Sequence, residues 1–418
     1  MKGVAPIIPD IDPAHDIGPE SNVEVVLLMA ATMSLVALCI DAMLPAFAAS
    51  AGDLGVPSSN DTQLIISLMF IGLALGQLFY GPLSDSIGRK PAIHAGYAIL
   101  VVGCLVSMFA ESFAVMLFGR FLQGFGAAGP RTVAMALIRD RFHGSEMARI
   151  MSFIMTVFIL VPILAPAVGQ GILLFSGWQA IFGFIILFSF AVQAWFTIRQ
   201  PETLLPENRR AFTLVSIGQG FFEVIRNLPA MVFTLVAGSV FGGFMGYLNS
   251  CQQIFQVQYG LGKLFPLFFG GLAFAAGLAA IINGNLVMQF GMHRLTYRAL
   301  YAITGLSWLL LLVSWMHGGH PPLWQFMAIC VPWFFCIGVV FGNFNAMAME
   351  QMGHVAGSAA AVIGTATSLM AVGLGLLIGN AYDGTLNPIA AGFAIFTTIS
   401  ELLTMFDKAP EHGSQAGI

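Results

Sequence analysis

Charge is what this chain has least of. Only 9% of its 418 residues are Asp, Glu, Lys or Arg, 58% are hydrophobic, and the mean hydropathy is +0.86. A soluble domain of this size does not carry that balance, so the chain belongs in a membrane. Recognisable catalytic motifs are missing too. No HExxH, GxSxG or Walker GxxxxGK[ST] occurs, and the histidines 94, 293, 317, 320 and 354 are scattered at the ends of apolar runs, which leaves a membrane-embedded enzyme or an ATP-driven pump without support. The five cysteines (Cys39, Cys104, Cys251, Cys330, Cys336) show neither CxxC nor metal-ligand spacing and read as small packing residues. The period-two alternation of a porin strand is absent. The first 22 residues lack the basic start and apolar core of a signal peptide and read as a disordered polar tail.

What the chain does have is apolar runs long enough to cross a bilayer, each of which must be helical because lipid offers its backbone no hydrogen-bond partners. Twelve can be marked off: 23–47, 62–81, 92–109, 113–138, 150–174, 179–198, 229–249, 264–290, 299–316, 323–349, 357–380 and 388–406. Of the 16 Lys and Arg, 13 fall in the tails and alternate loops of one side, from Lys2, Arg89 and Lys90 through Arg209 and Arg210 to Lys408; Arg120 and Arg131 lie within a span, and Lys263 alone lies opposite. The positive-inside rule then places both termini in the cytoplasm.

The expected organisation is a cytoplasmic tail (1–22), a six-helix bundle (23–198), a cytoplasmic linker (199–228) bearing Pro201, Pro206, Arg209 and Arg210, a second six-helix bundle (229–406) and a short tail (407–418). A partial repeat supports two halves. Gly81, Leu83 and Gly88 after the second span recur at equal spacing as Gly284, Leu286 and Gly291 after the eighth, while Asp85 becomes Met288. The fold class is thus an all-α membrane protein of twelve transmembrane helices in two pseudo-symmetric halves, an architecture that places a transport site between the halves near the midplane.

GPLSDSIGRK (81–90) resembles the signature between helices two and three of the major facilitator superfamily. Three further stretches resemble its bacterial Bcr/CflA-type drug:proton antiporters: IDAMLPAF (40–47) in helix one, FGRFLQGFGAAG (118–129) in helix four, and PILAPAVGQG (162–171) followed by GWQAIF (177–182) in helix five and beyond. Two positions depart from that pattern. Gly169-Gln170-Gly171 stands for a double glycine, and Met43 for an aromatic.

The residues themselves suggest where the work is done, since an ionisable group in mid-membrane costs about 2.5–3.5 kcal/mol on insertion scales. Asp41 has two readings: a solvated outer helix end, or a carboxylate facing the central cavity that takes up and releases a proton; the resemblance implies the second. Arg120 cannot give up its proton, but it can tune a nearby carboxylate or tie helix-one carbonyls. Gln123, one turn further along the helix, is a candidate cavity residue, as are Tyr247, Asn249, Gln252 and Phe255 around the end of helix seven. Arg131 is read as an interfacial residue snorkelling at the cytoplasmic end of its span, and Glu401 as interfacial.

The opening motif (Gly81, Asp85, Gly88, Arg89, Lys90) is read as a gate. Gly81 and Gly88 would permit a tight turn, Asp85 would meet the positive N-terminus of helix eleven at Gly357-Ser358 with Ser358 as cap, and Arg89 would pair with Asp140. Pro162, Pro166, Gly169 and Gly171 would kink helix five and let it pack closely, which the resemblance associates with sealing a proton leak. The leading expectation is export of lipophilic or amphipathic compounds in exchange for protons by alternating access. Proton-coupled import of a metabolite on the same fold is the alternative; a channel or an enzyme fits the pattern less well. Expected partners are a small-molecule substrate, protons and the bilayer, with no cofactor, ATP or nucleic acid. The expected setting is a monomer in a bacterial inner membrane.

Overall fold

Pro45 breaks the first span. In the computed structural model, which describes residues 22–406 apart from His143, Arg210, Ala211, Thr213 and Leu214, helix α1 (Asn22–Asp41) stops at Asp41 and gives way to a single 3-10 turn (Leu44–Ala46) and a short helix α2 (Phe47–Asp53). A proline cannot donate its backbone bond, and its ring clashes with the carbonyl four residues earlier, here that of Asp41. The break therefore falls at Asp41, the one acid between Glu24 and Asp53. Both tails, with Lys2 and Lys408, and Arg210 of the linker lie outside the described residues.

The remaining helices are α3 (Leu64–Ile87), α4 (Arg89–Met108), α5 (Phe113–Arg141), α6 (Gly144–Leu173), α7 (Gln179–Arg199), α8 (Val215–Arg226), α9 (Leu228–Gln252), α10 (Phe265–Phe290), α11 (Met292–Met316), α12 (Leu323–Met349), α13 (Ala356–Asn380) and α14 (Asn387–Thr404). A single π-turn, Gln253–Gln258, extends α9. Among the described residues ten helical stretches are long and apolar enough to cross a membrane. The other two long helices are α5, which carries Arg120 and Arg131, and α14, at 18 residues. No strand occurs among the described residues.

Several boundaries differ from the sequence reading, among them the ninth span, which starts at Met292, seven residues early. The second span does not stop at Gly81: α3 continues through GPLSDS to Ile87, and Gly81 is helical with open space beside it. Gly88 alone makes the turn, at φ +109°, a conformation that disfavours any side chain. The fifth helix starts six residues early, at Gly144. The linker holds a helix of its own, α8, with Phe221, Phe222 and Ile225 exposed, Val224 buried, and the Arg226 guanidinium 3.8 Å from the Phe222 ring centroid. That pattern suits a helix lying in the membrane interface. On its other side Gly220 abuts Ser358 of α13.

Helices α1 to α7 form one half and α9 to α14 the other. The small residues of GFGAAG let α5 sit against the backbones of α3 and α4. In the second half α9 packs on α13 and α14, and α12 on α10 and α11. The halves meet along two helix pairs, α3 with α13 and α6 with α10. On the first seam the Thr365 hydroxyl donates to the Ala74 carbonyl at 2.8 Å. The face carrying α8 and the chain ends is called here the basic face, its counterpart the opposite face.

Candidate functional site

Asp41 sits at the broken end of α1, only 5% exposed, and has no hydrogen-bond or ion-pair partner among the described residues. Two neighbours fix its surroundings. Gly169 of α6 lies against the Ala42 carbonyl so tightly that a Cβ there would be 1.9 Å from the oxygen. From the second half, the Tyr247 hydroxyl and Cys251 thiol of α9 lie within reach of the Asp41 charge. The Tyr247 hydroxyl, the Ser250 hydroxyl and both amide atoms of Asn249 are buried without partners among the described residues. Unpaired buried polar groups are uncommon, and here they gather where the two halves meet. The Tyr247 ring is held by Phe334, at 4.8 Å, and Phe269, at 6.1 Å between centroids.

Arg120 is fully buried in α5 and ties three helices together. Its Nε donates to the Ile65 carbonyl of α3 at 3.1 Å, and its Nη1 to the Cys39 carbonyl of α1 at 2.9 Å and to Gln123 Oε1 at 2.6 Å. The Cys39 carbonyl belongs to the last turn of α1, where carbonyls run out of helical partners and a cation is favoured. Nη2 is buried without a partner among the described residues. Arg120 thus grips the chain two residues before Asp41 and makes no hydrogen bond to the carboxylate. Gln123 is not a cavity residue: it is fully buried inside the first half, where its amide also donates to the Gly103 carbonyl and Ser107 hydroxyl of α4.

On the basic face Arg89 is the hub. Its side chain pairs with Asp85, with Asp140 of α5 at 2.8 Å and with the Ser84 hydroxyl at 2.8 Å. The Lys90 ammonium donates to the Thr197 carbonyl at 2.8 Å. Sequence reasoning missed Glu202: its two carboxylate oxygens accept from the backbone N–H groups of Arg89, at 2.9 Å, and Lys90, at 3.0 Å, capping the N-terminus of α4. Its only sequence signal was an acid placed just after the last arginine of α7. The Ser358 expectation is corrected. Its hydroxyl donates to the Val355 carbonyl at 3.1 Å, Val355 is the N-cap of α13, and Gly220 of α8 occupies the space beside it, while Asp85 pairs within its own half.

Other candidates separate in the same way. Gly171 faces open space, and α6 runs unbroken through Pro162 and Pro166. Phe255 is fully buried among Phe265, Phe268, Phe326 and Tyr247, and Gln252 bonds to Gln256. At the opposite face the halves are joined by amides that the sequence did not single out. Asn60 Nδ2 donates to the Tyr382 carbonyl at 2.8 Å, Gln63 Nε2 to Asn380 Oδ1 at 2.6 Å, and Gln253 Nε2 to Asn60 Oδ1 at 3.1 Å.

Two helical halves joined along two helix pairs, with a buried unpaired carboxylate between them, are the build of a membrane transporter. The sequence profile of the Major Facilitator Superfamily matches residues 26–375, and the chain belongs to that superfamily. It is 31% identical to a bicyclomycin resistance protein homolog of Haemophilus influenzae, over 88% of this chain and 92% of that one. It is 25% identical to the multidrug resistance protein MdtL of Salmonella paratyphi A, over 89% and 91%. A solved structure of the xylose transporter XylE from E. coli, in a partially occluded inward open conformation, superposes with a TM-score of 0.74 at 10% identity, covering 94% of this chain and 99% of that one.

Proposed function

We propose that the protein exports lipophilic or amphipathic small molecules in exchange for protons, with Asp41 as the proton carrier. One observation carries the reading: Asp41 is buried, unpaired and set at a helix break, within electrostatic range of Tyr247 of the other half. A carboxylate so placed must either shed its charge or meet a cation, and either event changes how the halves attract one another. The names of the two relatives, which concern resistance to bicyclomycin and to multiple drugs, support drugs as the exported class.

Arg120 is a positioning residue in this scheme, holding α1 at the depth Asp41 needs, and Gly169 does the same from α6. The basic face is cytoplasmic, consistent with its excess of Lys and Arg. The linker 199–228 separates bundles 23–198 and 229–406, and the protein works as a monomer in a bacterial inner membrane, driven by the proton gradient without a cofactor. Asp85, bound to Arg89 while the amides close the opposite face, is free to change partners when the halves rock.

The test is substrate-evoked proton release from purified protein in liposomes, comparing wild type with Asp41→Asn. The amide keeps the shape and loses the titration, so release is expected to vanish while folding survives. Release at the wild-type level in the variant would remove Asp41 from the mechanism. Vesicles with an imposed proton gradient separate export from the competing direction, import by symport.

A further inference from the structure

Arg131 does not behave as an interfacial residue. It lies eleven residues after Arg120 on α5, three helical turns further, which returns it to within about 20° of the same face. That face is the inner one, since Arg120 reaches α1 and α3 from it. Leu122, nine residues before Arg131 and so on the opposite side of α5, lies with Phe121 and Phe125 along an apolar groove of about 390 Å³ between α4 and α5. The guanidinium therefore points away from lipid and into the protein. It is surrounded by protein, yet part of its surface stays accessible. Met135, one turn nearer the basic face, is 38% exposed.

A cation in this position needs an anion. Among the described residues Arg131 has no hydrogen bond or ion pair, and no carboxylate stands close to it. Asp41 is not that partner: Arg120 fixes the level of α1 near Asp41, and Arg131 lies about 16 Å further along α5 at 1.5 Å per residue. The inner side of the first half thus carries a buried acid at the level of Arg120 and a permanently charged base about 16 Å nearer the basic face. Guanidinium groups pair with carboxylates, sulfonates and phosphates through a planar fork that an ammonium cannot reproduce.

We infer that Arg131 is a substrate-recognising residue, and that the transported compounds include amphipathic organic anions whose acidic group docks on it from the cytoplasmic side. This rests on the transport reading above and adds a substrate class to it.

Dansylglycine and its methyl ester form a suitable probe pair, with the same aromatic body and one carboxylate of difference. Binding of each is measured by fluorescence on purified wild type, Arg131→Gln and Arg131→Lys, each checked for monodispersity. Wild type is expected to bind the acid at least about tenfold more tightly than the ester, as one charge-assisted hydrogen bond allows. Arg131→Gln should lose that preference and Arg131→Lys should keep part of it. Equal affinities for acid and ester in wild type, or an undiminished preference in Arg131→Gln, overturns the inference. The transport reading is judged separately, by whether wild type exports the cation ethidium in an Asp41-dependent manner.

Discussion

Gly169 and the Ala42 carbonyl are in contact that no side chain can share: a Cβ at Gly169 would lie 1.9 Å from that oxygen. The distance explains a glycine whose spacing alone suggested only general close packing. It also makes the position a sensitive one, because the oxygen belongs to the residue after Asp41.

Gly169→Ala should force α6 away from α1, at a cost of about 1–3 kcal/mol for an overpacked site, while Gly171→Ala, which faces open space, should be near neutral. Thermal melts of the two variants in detergent check the stability difference. Passive proton entry into liposomes checks whether the displaced helix opens a leak.

Removing Arg120 would strand the carbonyls of Cys39 and Ile65 and one oxygen of Gln123. Arg120→Ala should therefore destabilise the first half by more than about 2 kcal/mol, given about 1.5–3 kcal/mol for each hydrogen bond to a charged group, and Arg120→Lys by less. A melting shift no larger for alanine than for lysine would show that the tie contributes little.

The hub on the basic face separates two effects. The Arg89 side chain is 6% exposed and that of Asp85 46%. Asp85→Asn should change stability by less than about 1 kcal/mol, as exposed pairs do, whereas Arg89→Ala should cost more by leaving Asp140 unpaired. If Asp85 also changes partners during rocking, Asp85→Asn slows exchange without weakening substrate binding. A transport defect that simply tracks the melting temperature would reduce Asp85 to a structural role.

At the opposite face, cysteines replacing Asn60 and Tyr382 should crosslink under mild oxidation and stop exchange, and a reductant should restore it. Asn60→Ala should raise maleimide labelling of Cys251 by opening that side. Unchanged labelling would mean that the amide bonds do not hold it closed.

The spans and the two halves were legible because each rests on local chemistry, apolar length and charge placement; the break at Asp41 was not drawn, since 23–47 read as one span although Pro45 follows the acid by four residues. Gln123, Phe255 and Ser358 were misplaced because a side chain's direction depends on the rotation of its helix against neighbours, which one sequence does not record. The inward placement inferred for Arg131 was illegible for the same reason, since depth along a helix is countable and the face it occupies is not. Glu202 and the Asn60 and Gln63 amides act through backbone groups distant in sequence, so no spacing marks them.

The bonds joining the halves at the opposite face use only amides and carbonyls. None of these groups titrates between the acidity of a growth medium and that of a cell, and neutral bonds are little affected by salt. A change in external pH or ionic strength therefore leaves the strength of this closure untouched; if Asp41 carries the proton as proposed, the barrier to opening outward stays constant while the signal that triggers it varies.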